Sequence, residues 1–339
     1  MMIPGWRLEQ WLATTRASRI ARARPTSEAA DDAAVLLKVV AGGDLADFRG
    51  EYALAQSLSA PGIFRPRSLW AEGSVLAMVL DDGPLVSLET LLSAQPLELP
   101  ACLRAAHSIA RALGALHAAH LVHGDVRPAN LLVEPRTHEV LIADLSAAAE
   151  LSQPPAPVND WAYVSPEQTG RTGRMIDHRA DFYALGVLLY RLLCGRLPFQ
   201  ASDPLEWLHC QIARTPHAPV EVVPQLPRVV SDLVMKLLAK APEDRYHGAH
   251  GLLVDLQHCL DEWKSTGAIE WFSLGRDDVS EQLQIPQKLY GRENERTARG
   301  YRCTELVTSA AEVERLLGLN LLAGHKAKRA AALVAAQEY

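Results

Sequence analysis

Residues 123–130 read His123-Gly-Asp125-Val-Arg127-Pro-Ala-Asn130. An aspartate just after His-x, followed five positions later by an asparagine, puts a carboxylate and an amide on one loop. Phosphoryl transfer needs both: a carboxylate to orient the attacking hydroxyl, and an oxygen ligand for magnesium close by. Taken alone, the pattern also describes a polar turn. Nineteen residues after Asp125 stands Asp144, in Leu141-Ile-Ala-Asp144-Leu-Ser146. A carboxylate at the end of an apolar strand can point into a cleft and chelate a metal, although a turn aspartate has the same sequence.

Working outward, Val35-Leu-Leu-Lys38 places a lysine inside an apolar strand. An ammonium buried without a partner is costly, so this lysine wants an anion. Glu51, thirteen residues on in the next predicted helix, is the candidate partner, with Lys38 left to hold phosphates. A snorkelling lysine and a solvated helix glutamate are the alternative. Downstream come Ser165-Pro166-Glu167, Asp181-Phe-Tyr-Ala-Leu-Gly186 and Arg245. Glu167 and Arg245 are expected to form a buried pair, and Asp181 to hold the backbone of the 123–130 loop. Each reading is weak alone, but their order and spacing make chance a poor explanation.

The hydrophobic pattern gives these residues a frame. Strands are expected over 35–40 and 74–80, and a helix from Asp44, as N-cap, through 58. An amphipathic helix is predicted over 99–119, with Leu103, Ile109, Leu113 and Leu116 near helical spacing. Further helices are predicted over 180–193, 204–213, 229–239 and 249–263, and a Pro-rich loop over 150–160. A small sheet-rich part with one helix thus precedes a larger helical part, which predicts an α+β domain with two lobes. A cleft between such lobes is a common ligand site. No internal repeat is evident, and the composition turns more polar after about residue 267.

Composition excludes some classes. Nearly half of the 339 residues are hydrophobic, ample for a core, and the net charge of −6 argues against a dedicated nucleic-acid binder. The five cysteines (Cys102, Cys194, Cys210, Cys259 and Cys303) lack CxxC spacing, so buried free thiols in a reducing compartment are expected rather than a zinc site. No apolar run has membrane-spanning length, and the first residues lack a secretory apolar region. The expectation is a cytoplasmic protein with no membrane span and no nucleic-acid partner.

With these motifs in order, the chain resembles a protein kinase domain over 6–263, with an N-lobe of about 6–80 and a C-lobe of about 84–263. More closely it resembles the N-terminal serine/threonine kinase domain of large bacterial proteins. These join such a kinase to a P-loop ATPase-like region and sensor histidine kinase modules. Phe48-Arg-Gly-Glu51-Tyr, Ala162-Tyr-Val-Ser-Pro-Glu-Gln-Thr-Gly-Arg171, Asp177-His-Arg-Ala-Asp-Phe-Tyr-Ala-Leu-Gly186, Leu208-His-Cys-Gln-Ile-Ala-Arg214 and Ile285-Pro-Gln-Lys-Leu-Tyr-Gly-Arg-Glu293 carry this closer likeness. The resemblance implies ATP and Mg²⁺ as cofactors, a protein with Ser/Thr hydroxyls as substrate, and signalling partner proteins. It implies Asp125 as catalytic base, with Asn130 and Asp144 as magnesium ligands. Lys38, held by Glu51, would contact the α- and β-phosphates, and Arg127 would stand near the γ-phosphate. Val79, Leu80, Asp81 and Asp82 would form the hinge that reads adenine through its backbone. Ile20, Leu36 and Leu132 would sandwich the base.

The chain departs from the family pattern in several places. The phosphate-covering loop, 12–20, has no glycine to let backbone N–H groups approach phosphates. Leu36 replaces a smaller residue, and the Lys38–Glu51 interval is short. Gly124 stands where an arginine often precedes the base, which disfavours activation through a phosphorylated loop docking on it. Asp144-Leu-Ser146 lacks Phe-Gly, Arg127 replaces a lysine, and Asn159-Asp160-Trp161 replaces the Gly-Thr that supports the catalytic loop. These departures keep open a second reading, a weak or inactive pseudokinase acting as a nucleotide-binding scaffold. A small-molecule kinase ranks third, because such enzymes usually lack the Ser-Pro-Glu to Asp181 arrangement. In the tail, 264–339, Tyr290-Gly-Arg-Glu293 resembles the start of the P-loop region, but no GxxxxGK[ST] follows. Residues 311–339 carry an amphipathic helical pattern, with Val313, Leu316, Leu317 and Leu321 as its apolar stripe. The tail reads as a linker and helical remnant of a larger protein, with an ordinary C-terminal helix pair as the alternative.

Overall fold

The computed structural model describes residues 3, 5–15, 18–26, 33–41, 45–94, 97–150 and 160–278. The expected N-cap at Asp44, most of the 150–160 loop and the helices of the tail lie outside the described residues.

The N-terminal part is a five-stranded antiparallel sheet: β1 (Trp6–Thr14), β2 (Arg19–Pro25), β3 (Val35–Ala41), β4 (Ser68–Glu72) and β5 (Val75–Asp81). Their spatial order is β1-β2-β3-β5-β4, and α1 (Leu45–Ser57) leaves the sheet between β3 and β4. Strand β3 is buried along all but its last residue, because both faces of the sheet are covered there. Leu37, Val39, Ala77 and Val79 pack in an outer cluster with Ile3 and Ala23. Ile20, Leu36, Met78 and Leu80 face the main core, as the two-residue period of strands requires. The β1–β2 turn closes without glycine, through the Thr15 N–H to Ser18 carbonyl bond (2.9 Å) and a Thr15–Ser18 hydroxyl contact (2.8 Å).

The α1–β4 connection docks on the helical part. Phe64 N–H donates to the Ile142 carbonyl (3.1 Å), and Ile142 N–H to the Gly62 carbonyl (2.8 Å). Gly62 has φ +83°, and a Cβ there would press on Ala112 at 3.0 Å, so the close approach requires glycine.

In the C-terminal part, β6 (Val86–Ser87) and α2 (Leu88–Ala94) lead to α3 (Leu99–Ala118), and β7 (Leu121–Val122) follows. Strands β8 (Leu131–Val133) and β9 (Val140–Ile142) form a hairpin that also pairs with β6, and β10 (Ala149–Glu150) pairs with β7. Helices α4 (Arg179–Cys194), α5 (Pro204–Ile212), α6 (Pro219–Val222), α7 (Arg228–Leu237) and α8 (Ala249–Thr266) complete it. Helix α4 is buried almost along its length, with α3 and α7 packed against it. A Cβ on Gly186 of α4 would lie 2.7 Å from Leu237 Cβ, so glycine sets how closely α7 approaches. Helix α8 ends at Gly267 (φ +73°), but the chain then returns to it. Gly275 N–H donates to Asp255 (2.7 Å), and Asp278 accepts from the N–H groups of His247 and Gly248.

The predicted two-part order is observed: a sheet-rich part with one helix, then a helical part. The four cysteines among the described residues are free thiols. Among those residues no helix is long and apolar enough to cross a membrane.

Candidate active site

Strand register brings the site residues together. In the β8–β9 hairpin Leu131 pairs with Ile142. Asn130, one residue before β8, and Asp144, two residues after β9, therefore lie at the same end of the hairpin. The Ala143 N–H to Asn130 carbonyl bond (2.9 Å) fixes that end. On the other wall, β3 presents Lys38, which is fully buried. Its Nζ donates to Glu51 Oε1 on α1 and to Asp144 Oδ1 at 2.6 Å. The short Lys38–Glu51 interval thus still closes the ion pair. Glu51 Oε1 also accepts from Leu145 N–H (2.6 Å), so the leucine that stands for phenylalanine is buried and tied to α1 through its backbone.

One ammonium here serves two buried carboxylates. Burial pushes Glu51 up to about 7 despite the attraction of Lys38, with the charge of Asp144 adding to the rise. Burial also opposes ionisation of Asp144, but the Lys38 ammonium and its hydrogen bond hold that carboxyl well below the ordinary carboxylate range. The cluster carries an excess of negative charge facing the hairpin end.

The catalytic-loop candidates are built by their own backbone. Asn130 Nδ2 donates to the Asp125 carbonyl (2.8 Å) and to Asp125 Oδ2 (3.0 Å), and Arg127 Nε donates to the same carboxylate at 3.2 Å. Asp125 N–H donates to His123 Nδ1 (3.2 Å). From below, Asp181 on α4 accepts from His123 N–H (2.9 Å), Gly124 N–H (2.8 Å) and His117 Nε2 (2.9 Å). Its burial alone would raise its pKa, but these bonds hold it below the ordinary range. Gly124 has φ +77°, a conformation glycine takes without steric cost, and a Cβ would meet the Ala147 carbonyl oxygen at 3.3 Å. The absent arginine is therefore matched by a backbone that favours glycine.

Asn130 Oδ1 is buried and has no hydrogen-bond partner among the described residues. Buried polar atoms are almost always paired, so an orphan of this kind asks for a ligand. This amide oxygen and the Asp144 carboxylate are hard oxygen donors, suited to a hard divalent cation that completes its shell with water and phosphate oxygens. Among the described residues no group of three or more His, Cys, Asp or Glu side chains could hold a metal. A two-ligand, phosphate-completed site needs none.

The remaining expected residues fall as follows. Ile20, Leu36 and Leu132 are buried in the main core. Val79 and Leu80 lie within β5, paired with Leu37 and Leu36 of β3. The Val79 carbonyl is taken by Arg67 N–H (2.7 Å), and its side chain lies on the outer face. Asp81 and Asp82 are exposed at the strand's end. Glu167 and Arg245 pair in bidentate fashion at 2.6 and 2.9 Å, both fully buried. Asp160, which stands where the family has threonine, caps its own turn by accepting from Ala162 N–H (3.1 Å).

These arrangements agree with a comparison of the sequence with known families: residues 28–256 match the protein kinase domain. The chain belongs to this family. Family membership carries with it, in general, the use of ATP and a divalent metal, and a protein substrate. Among curated proteins, a kinase domain is shared with a probable serine/threonine-protein kinase of Streptomyces coelicolor, 32% identical over 57% of this chain and 28% of that protein. The serine/threonine-protein kinase PrkC of Bacillus subtilis is 29% identical over 63% of this chain and 34% of its own length. The hybrid signal transduction histidine kinase G of Dictyostelium discoideum is 37% identical over 40% of this chain, but only 4% of that protein. The chain thus spans about a third or less of these relatives.

Sequence reasoning missed three contributors to this kinase fold. Arg22 on β2 donates to Asp82 (2.8 Å) and to the Gly83 carbonyl (2.7 Å), tying the sheet to the segment after β5. His117 is the third donor to Asp181, and its helical spacing in α3 gave no hint of that. Gln168 reaches the Gly124 carbonyl at 2.9 Å, and only its place directly after Ser-Pro-Glu marks it.

Proposed function

We propose that the chain is a protein kinase domain, covering residues 6–263, that transfers the γ-phosphate of ATP to serine or threonine hydroxyls of proteins in bacterial signalling. The observation that carries this reading is the Lys38 cluster. An ion pair from β3 to α1 and the metal-ligand carboxylate are joined through one ammonium, the arrangement phosphoryl transfer requires. A pseudokinase whose cleft had decayed would have no reason to keep a buried, charge-unbalanced cluster beside an orphaned amide oxygen.

In this reading the adenine lies between Ile20 and Leu36 on one side and Leu132 on the other, and the backbone at 80–82 reads its edge. Lys38 binds the α- and β-phosphates while Glu51 orients it. Asn130 and Asp144 hold Mg²⁺, which, when bound, neutralises phosphate charge. Asp125 orients the substrate hydroxyl and accepts its proton, and Arg127 offers its charge to the γ-phosphate. Asn130 thereby serves twice, its Nδ2 bracing Asp125 and its Oδ1 facing the metal. Protein substrate and signalling partners would meet the helical part, where Asp125 opens.

The test is transfer of labelled γ-phosphate from ATP to a generic basic protein, with and without Mg²⁺. Wild type is expected to transfer phosphate only with Mg²⁺. Asp125→Asn is expected to lose roughly 10²- to 10⁴-fold in rate, with ATP affinity within a few-fold, because it keeps the side-chain shape but cannot take the proton. Mg²⁺-dependent ATP binding by wild type without transfer to any protein would favour the scaffold reading instead.

A further inference from the structure

Gln168 lies in the short turn Glu167–Thr169, directly after the buried Glu167. Its amide is used at both ends. Oε1 accepts from Ser165 N–H and Ser165 Oγ, each at 3.0 Å, and Nε2 donates to the Gly124 carbonyl at 2.9 Å. The peptide that joins Gly124 to Asp125 is therefore gripped on both sides. Its carbonyl is held by Gln168 and its N–H by His123 Nδ1 at 3.2 Å. The N–H of Gly124 itself is held by Asp181 at 2.8 Å.

Glycine at a positive φ is the most easily reoriented residue in such a loop, and it loses the most freedom on being fixed. A peptide flip there would swing the Asp125 side chain. Asp181 restrains only the N-terminal side of Gly124. On the other side, the Gly124 carbonyl is held by Gln168, while the residue in the family's threonine position, Asp160, is turned to its own backbone. The amide supplies both an acceptor for Ser165 and a donor for Gly124. A carboxylate lacks the donor, and an aliphatic side chain lacks both.

We infer that Gln168 is a positioning residue. It locks the Gly124–Asp125 peptide to the Ser165–Glu167 segment and so sets the direction of the Asp125 carboxylate, taking over the support that the family's Gly-Thr supplies. The inference rests on Asp125 being the base. Because Glu167 anchors the same turn to Arg245, the lock runs without a break from the buried ion pair to the catalytic loop.

Two variants test it in the full chain. Gln168→Glu keeps the acceptor for Ser165 but sets a carboxylate oxygen against the Gly124 carbonyl. Gln168→Met keeps the length and removes all three bonds. Phosphate transfer is measured per nucleotide-binding site, and amide hydrogen exchange is followed along the chain. Both variants are expected to lose roughly 10- to 100-fold in kcat with KM for ATP unchanged, since a misplaced catalytic group costs rate rather than nucleotide binding. Exchange is expected to rise within 121–130 and to stay unchanged in α4 and α7. Wild-type kcat per site, or unchanged exchange in 121–130, overturns the proposal. So does a uniform rise in exchange with kcat and nucleotide binding failing together, which marks a merely structural residue. If wild type transfers no phosphate, the kinase reading fails by itself. The exchange pattern then decides whether Gln168 clamps the loop: selective loosening of 121–130 supports it, and no loosening overturns it.

Discussion

Two buried ionic clusters in this molecule are built to opposite designs. At Arg245 each guanidinium donor has an acceptor: both oxygens of Glu167 and the carbonyls of Ala239, Arg179 and Lys240. Charge and hydrogen bonds balance. At Lys38 a single ammonium faces Glu51 and Asp144, and its third direction looks onto the Phe64 ring at 5.1 Å. Charge there does not balance, and burial, with the nearby Asp144 charge adding to it, pushes Glu51 up to about 7. A buried pair with all its bonds made serves the fold. In the function proposed above, a buried cluster with a surplus carboxylate, at the same hairpin end as an amide oxygen unpartnered among the described residues, would take up cations.

The largest effect should come from breaking the balanced cluster. Glu167→Ala leaves the guanidinium buried without its counter-charge, and a loss of roughly 3 to 5 kcal/mol in unfolding free energy is expected, with Arg245→Ala similar. Denaturant titration reads this, and ATP affinity of the folded fraction should stay at the wild-type value. If both variants unfold like wild type, the pair is not the anchor its geometry describes.

The unbalanced cluster should respond the other way. Glu51→Gln leaves Lys38 paired one to one with Asp144. Stability near neutral pH is expected at or above the wild-type value, while phosphate transfer collapses. Destabilisation on the scale of Glu167→Ala would erase the contrast between the clusters.

The smallest effect is a pH slope. The pKa of Glu51 in the folded chain lies above its ordinary value of 4.5, at about 7. Between these values the folded state binds a proton that the unfolded state releases. This contribution to stability is fully present below 4.5, falls as pH rises and is gone above about 7. Wild-type stability measured against Glu51→Gln should therefore decline across that window. Parallel pH profiles would place Glu51 in an ordinary environment. Asp144, shifted the opposite way, contributes its change only at more acidic pH, where its protonation costs stability.

Much of this was legible in the sequence, for a physical reason. Lys38, Asp125, Asn130, Asp144, Asp181 and Glu167 are charged or polar residues set in apolar or turn-forming stretches, where their presence needs an explanation. Arg245 was legible only through its expected partner. Gln168 and Arg22 were not legible, because a polar residue in a turn or at a strand edge is unremarkable until its distant acceptor is known. Gly124 read as a departure from the arginine of the family pattern, and only its backbone conformation explains it. The return of 267–278 onto α8 escaped the reading too. It rests on Asp278 capping two backbone N–H groups and on Ile269, Phe272 and Leu274 packing on the core, without a regular apolar period.

The most direct test of the contrast is calorimetric titration of ATP into wild type and Asp144→Asn, each with and without Mg²⁺. Mg²⁺ should tighten binding to wild type and leave the variant unchanged. Equal affinities in both proteins, with and without the metal, would contradict the account, because the surplus charge at Lys38 would then serve no cation.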